Sequence, residues 1–427
     1  MTMHPRPLPA TLALLATACG SSVTSVRSTS DASVDAPAVD VPAATTSCRS
    51  AVGPRFTVIS DPPDRQRFRL LDAIPTPDGA LVAWRERNPN GRDDQVRVRR
   101  IREDATPHPW SAEGRGSRTE VVSLPPSAAL QFSMVWDAPH DGVAILAGGA
   151  TDRGACVFSR FLGDDSQMWQ VVELGSLMGF PLAGCGSLGR TPDGYSFLTG
   201  EVRALWGDQL VFLTEEGRFA GAPARLPMTS QPTVAPMTRS VVSGGFMAAW
   251  AESIRGSEGP LQELHLRRFD SRGTPRGNDE GQGTADTVSD AQVLETPAGL
   301  LSVWHSSSST PGVPSAILAR PLMADARPGG FLVPFTGRPW IRGIHATARG
   351  DEVLVAAPTS EAAIYLLRLS GRGAALAEPL EVWRSASPVA VGPVRVVATA
   401  RGALVVFEVE TGEQGGRIVA VPVDCAP

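Results

Sequence analysis

Apolar residues in this chain fall in short unbroken blocks, each introduced by a turn signal. The block TPDGYSFLTG at residues 191–200 shows the form. Pro192 presets its backbone angle, Asp193 tolerates the bridge region and Gly194 accepts positive φ, so a tight turn is followed by a strand. The same punctuation introduces TPDGALVAW (76–84), PHDGVAILAG (139–148), VSGGFMAAW (242–250), TPAGLLSVW (296–304), TARGDEVLVAA (347–357) and TARGALVVF (399–407). One glycine per copy (Gly79, Gly142, Gly194, Gly245, Gly299, Gly350, Gly402) gives steps of 63, 52, 51, 54, 51 and 52 residues. Trp84, Trp250, Trp304 and Phe407 stand five positions after their glycines.

A repeat of about 52 residues suits one four-stranded propeller blade. The marked runs are apolar at consecutive positions, as expected of a strand covered on both faces by neighbouring blades, and they are assigned as each blade's second strand. Third strands are expected at 95–101, 155–162, 209–214, 261–270, 316–322, 364–369 and 417–423. Around Gly245, a first strand should end near Ser243 and a fourth lie near 285–289, with FDSRGTPRGNDEGQG (269–283) a solvated excursion between the outer strands. No segment keeps a helical period, and 43 Gly with 37 Pro interrupt the chain too often for long helices. The expected fold is all-β: a seven-bladed β-propeller of four-stranded blades.

The last third strand leaves no room for a fourth before the chain ends. RFTVIS at 55–60 has no other partner, and pairing it antiparallel to 417–423 closes the ring with an N-terminal strand. That pairing sets Cys48 beside Cys425 and leaves Cys156 and Cys185 for each other, or as buried thiols. From about residue 50 onward the repeat length and turn pattern resemble those of bacterial secreted β-propeller proteins in general. The resemblance does not extend to a WD40, sialidase or kelch motif, so it implies a fold and no particular activity.

Residues 1–19 (MTMHPRPLPATLALLATAC) carry Arg6 and an apolar stretch too short to span a bilayer, which reads as a secretory signal. Ala16-Thr17-Ala18-Cys19 resembles a lipobox, implying lipidation at Cys19; ordinary signal-peptidase cleavage is the alternative. Residues 20–47 hold Ser, Thr, Ala, Val, Pro and Asp with no aromatic residue, a composition expected of a disordered tether. Residues 48–427 make up the single propeller domain.

All 39 basic residues are arginine, which excludes Schiff-base chemistry and a phosphate-binding-loop lysine. The histidines beyond the signal (His108, His140, His265, His305, His345) are at least 32 residues apart, so no local metal motif is present and neither a metal nor a cofactor is expected. Asn88, Asn90, Asp93 and Asp94 lack calcium-loop spacing and read as a polar turn. A net charge of −5 with no basic run disfavours nucleic acid.

Polar residues recur where second strands end. Arg85, Glu86, Glu201, Glu252 and His305, with Trp206 as a stacking surface, are the candidate ligand-facing positions, weighed against simple solvation of strand ends. The expectation is a monomeric binding or scaffold module at a bacterial cell envelope, contacting an envelope protein or glycan and touching the membrane only through a lipid anchor. Soluble secretion is the alternative location. A catalytic role is the less favoured reading; the rival is a glycan hydrolase or lyase with funnel carboxylates. A sialidase-like site would have to use Tyr195 or Tyr365, the chain's two tyrosines.

Overall fold

The computed structural model describes residues 48–425 except 51–55, 60–66, 88–93, 109–119, 125–129, 150–155, 162–169, 175–185, 200–208, 227–237, 256–259, 309–313, 331–332, 386–390 and 411–415. Seven antiparallel sheets follow one another along the chain. Blade 1 is Arg67–Thr76, Gly79–Arg87, Asp94–Arg102 and Glu120–Leu124; blade 2 is Leu130–Asp137, Gly142–Gly149, Cys156–Phe161 and Gln170–Glu173. Blade 3 is Gly186–Thr191, Gly194–Thr199, Gln209–Leu213 and Ala224–Arg225; blade 4 is Thr238–Val242, Gly245–Arg255, Pro260–Asp270 and Glu280–Ala285. Blade 5 is Thr287–Thr296, Gly299–Ser307, Ala316–Leu322 and Val333–Phe335; blade 6 is His345–Arg349, Glu352–Pro358, Ala363–Ser370 and Leu380–Arg384. Blade 7 takes Val391–Ala398, Gly402–Glu410 and Gly416–Cys425 from the end of the chain, and Phe56–Ile59 and Cys48–Ser50 from its start. The protein is a seven-bladed β-propeller.

The ring closes as the sequence implies. Phe56 and Thr57 pair with Ala420 and Val419, Cys48 lies directly opposite Cys425, and the two cysteines are disulfide-bonded across a separation of 377 residues. Cys156 is also disulfide-bonded; Cys185, its expected partner, lies outside the described residues, as do Cys19 and the signal and tether segments.

Every second strand is sealed on both faces; Gly194–Thr199, for example, is buried throughout. The apolar core divides into seven clusters, one at each seam between consecutive blades. At the closing seam Phe68, Leu70 and Trp84 of blade 1 meet Leu404, Val406 and Ile418 of blade 7. Trp250 and Trp304 fill the seams toward blades 3 and 4 respectively. The recurring aromatic is thus a wedge between blades, and truncating one would cost about 3–5 kcal/mol.

Innermost strands have one edge with no sheet neighbour, so their N–H groups need other acceptors. Polar side chains of the preceding blade supply them. Ser133 Oγ accepts from Leu188 N–H (2.8 Å), Ser187 Oγ from Arg239 (3.2 Å), Ser240 Oγ from Val293 (2.9 Å), Gln292 Oε1 from Ala346 (2.9 Å) and His345 Nδ1 from Val396 (3.2 Å). At the closing seam Arg395 donates to Asp72 Oδ1 (3.0 Å) and the Leu71 carbonyl (2.8 Å).

One expectation needs correction. In blade 4 the fourth strand is Glu280–Ala285, and residues 287–289 already belong to the first strand of blade 5. Within the stretch 269–283, residues 271–279 do join the third and fourth strands and are mostly exposed or half-buried, while the buried Phe269 and Gln282 belong to the strands themselves; the connection holds a compact turn. That turn recurs in blades 1, 3, 4, 5 and 6, with Ala105, Gly217, Gly273, Ala326 and Gly373 at positive φ. In each case the N–H of that residue donates to the carbonyl three positions earlier. The signal was present as repeats such as REDATP, DSRGTP and MADARP, but two of the five copies carry alanine where the backbone favours glycine.

Candidate functional site

The described candidate positions lie at several different seams between blades. Glu201 and Trp206 lie outside the described residues. Arg85 and Glu86 are buried near the end of blade 1's second strand. Adjacent strand residues face opposite ways, so Glu86 shares Trp84's face toward blade 7 while Arg85 faces blade 2; Glu86 forms an ion pair with Arg97 of the third strand. His305 is buried on the face of blade 5 that meets blade 6, with Nδ1 3.2 Å from Ser289 Oγ, and burial pushes its imidazole below the ordinary histidine value. Glu252 belongs to the seam between blades 3 and 4, on the same face of its strand as Trp250.

Around Glu252 the structure does assemble a polar cluster. In the hairpin Gly245–Arg255 to Pro260–Asp270, Glu252 stands opposite Glu263 and Trp250 opposite His265. The period of two puts all four side chains on one face. The His265 ring stacks on Trp250 at 5.6 Å between centroids, with 14° between planes. Its Nε2 is 3.3 Å from Glu252 Oε2 and 3.4 Å from Glu263 Oε2, and its Nδ1 is 2.9 Å from Asp279 Oδ1. Burial works against the charged imidazole, but the Asp279 hydrogen bond and charge, with Glu263 and Glu252 behind them, hold His265 above the ordinary histidine value. Sequence reading singled out Glu252 alone. The alternation Glu263-Leu264-His265 in a third strand was the available signal, and only the strand register ties it to Glu252.

Both tyrosines sit in arginine-carboxylate networks. Tyr195 is fully buried; its hydroxyl donates to Asp137 Oδ2 (2.8 Å), which also accepts from Arg160 Nε (2.8 Å), while Arg190 binds Glu215 (2.6 Å). Burial and the bond to Asp137 push its phenol well above the usual range. Tyr365 donates to Glu381 Oε2 (2.9 Å) and accepts from Arg338 (3.0 Å) and Arg384 (2.7 Å). Burial and Glu381 raise this phenol too. Both hydroxyls thus donate to a carboxylate, a contact that also serves a hydroxyl activated by an adjacent base.

No protein-family model matches the chain and no curated protein does. Among solved structures it is similar to the β-propeller domain of the Trilobed protease from Pyrococcus furiosus, at 10% identity over 83% of this chain and 95% of that one, with a TM-score of 0.47. It is also similar to extracellular domains 1–2 of Drosophila Semaphorin 1a, at 8% identity over 86% of this chain and 88% of that one, with a TM-score of 0.48. These similarities concern fold only, and the fold is established independently by the strand pairing.

Proposed function

We propose that this protein is an exported binding or scaffold module of a bacterial cell envelope, tethered through a lipid on Cys19 and contacting protein or glycan with the face on which its second strands end. The observation that carries the export part is the Cys48–Cys425 disulfide, because such bonds persist in oxidising compartments. The rival reading, a glycan hydrolase or lyase, draws on the facing carboxylates Glu252 and Glu263.

The test expresses the full chain and its Cys19→Ser variant in a host that exports lipoproteins, then fractionates the membranes. Wild type should sediment with membranes and the variant should not; identical fractionation would remove the anchor. The purified chain is then incubated with envelope extracts and mixed oligosaccharides. Saturable binding without release of reducing ends supports the module, whereas steady release of reducing ends would put the hydrolase in its place.

A further inference from the structure

Arg239 is a cation held in the wall of the ring with one edge left open. It stands on Thr238–Val242, the strand of blade 4 nearest the propeller axis, and its side chain is half-buried. Arg239 pairs with Ala248, and Val241 with Phe246. The period of two therefore sets Arg239 on the face of Phe246 and Ala248, toward blade 3. Its guanidinium carbon lies 4.6 Å from the centre of the Phe246 ring, which is itself stacked on Phe269. Nη1 donates to the Ser196 carbonyl and to Ser196 Oγ, both at 2.9 Å. Opposite Ser196 in the blade 3 ladder is Gly189, where a Cβ would stand 2.7 Å from the guanidinium carbon and 2.8 Å from Nη2. An aromatic face, an anchored Nη1 and a glycine that leaves room for the planar group hold it in one orientation.

The surroundings supply no counter-charge. Other seam arginines reach a carboxylate: Arg100 meets Asp78, Arg160 Asp137, Arg368 Glu352 and Arg395 Asp72. Among the described residues no carboxylate pairs with Arg239, whose side-chain hydrogen bonds go to Ser196 alone. Burial pushes its guanidinium down to about 10, which leaves it charged at neutral pH. Nε is sealed from solvent without an acceptor, and Nη2, on the same edge, makes no hydrogen bond among the described residues. A buried charge without a partner is strongly unfavourable, so an anion at this edge would be stabilising.

We propose that the Nε–Nη2 edge of Arg239 binds the carboxylate of a small organic acid, one oxygen on each N–H, in the inner seam between blades 3 and 4. The two N–H groups of that edge are parallel, the fork that takes both oxygens of a carboxylate. One guanidinium balances one carboxylate. Inorganic phosphate carries more charge than that at neutral pH and would stay partly uncompensated in a seam walled by Leu198, Phe246 and Trp250. The site lies on inner strands, apart from the loop face proposed above for protein or glycan, and does not depend on it. Sequence spacing gives no sign of it, because Gly189, Ser196 and Arg239 meet only across the seam.

The experiment uses the full chain with isotope-labelled arginine, titrated with sodium acetate and, at equal ionic strength, with sodium chloride and sodium phosphate. The Nε–H resonance of Arg239, assigned through its contact with the Phe246 ring, should shift saturably with acetate, and the urea midpoint should rise in parallel. Arg239→Lys keeps the charge but loses the fork, and should weaken acetate binding at least about tenfold. Gly189→Ala, which intrudes on the seat of the guanidinium, should weaken it too. If neither variant folds, the wild-type titration decides alone. An Nε–H resonance that does not respond to acetate would make Arg239 a structural strut between the blades and overturn the proposal. An equal response to chloride, tighter binding of phosphate than of acetate, or undiminished binding by Arg239→Lys would overturn it as well.

Discussion

His345 shows how much of this chain's polar inventory is structural. Its Nδ1 accepts the Val396 N–H across the seam between blades 6 and 7, which requires a bare nitrogen. Burial, aided by the charge of Arg395, pushes its pKa down to about 3. The unfolded chain takes up this proton near the ordinary histidine value of 6.5. The depressed folded value therefore leaves stability unaffected above that pH, and the loss grows as pH falls from 6.5 toward 3, by about 1.4 kcal/mol per unit. A glutamine keeps an acceptor without titrating. The urea midpoint of wild type should consequently fall relative to His345→Gln between pH 7 and pH 4; parallel midpoints would refute the assignment. Histidine spacing gives no hint of this role, because the partner N–H lies 51 residues away.

At the scale of the element, the glycine that opens the second strand at Gly79, Gly194, Gly245 and Gly402 is required for a reason the turn signal did not give, whereas Gly299 and Gly350 have open space around a Cβ. Turn chemistry suggests positive φ, and Gly194 has it at 141°. The stronger constraint is the third strand: a Cβ would stand 2.2 Å from the Leu213 carbonyl at Gly194, 2.0 Å from the Phe269 carbonyl at Gly245 and 2.0 Å from the Val423 carbonyl at Gly402. Neighbouring Gly244 separates the two effects, since it has φ of 75° and open space around its Cβ position. Gly244→Ala should lose only the left-handed penalty of about 1 kcal/mol. Gly245→Ala displaces the third strand and should lose more, about 2–3 kcal/mol. Urea unfolding of the two variants measures the difference, and equal losses would return the explanation to turn conformation alone.

For the whole molecule the decisive contact is the closing seam. It joins residues from the two ends of the chain through the disulfide, the strand Phe56–Ile59, the bond from Leu70 N–H to Glu408 Oε2 (2.9 Å) and the apolar cluster around Trp84. Chain-entropy reasoning gives about 6 kcal/mol for so long a loop, but bonds of this kind usually deliver about 2–4 kcal/mol. A Cys48→Ser, Cys425→Ser double variant should therefore lose about 2–4 kcal/mol by urea unfolding. It should also show faster amide exchange first at Thr57 and Val419, with the seam between blades 4 and 5 unchanged. Uniform acceleration around the ring would mean that the clasp does not define where opening begins.

The sequence by itself determined the blade count, the second and third strands and the ring-closing cysteine pair. These rest on local turn chemistry and on apolar runs repeated at an even period, which neighbouring residues carry without reference to distant ones. Only the tertiary structure decided that Arg85, Glu86, Glu252 and His305 occupy separate seams, that Ser240, Gln292 and His345 cap the N–H groups of the next blade, and that Glu263 and His265 join Glu252. Each depends on which strand lies opposite which, and on how one sheet packs against the next. Side-chain encounters across a register or a seam are set by that packing, and a spacing of about 52 residues leaves no trace of them in the local pattern.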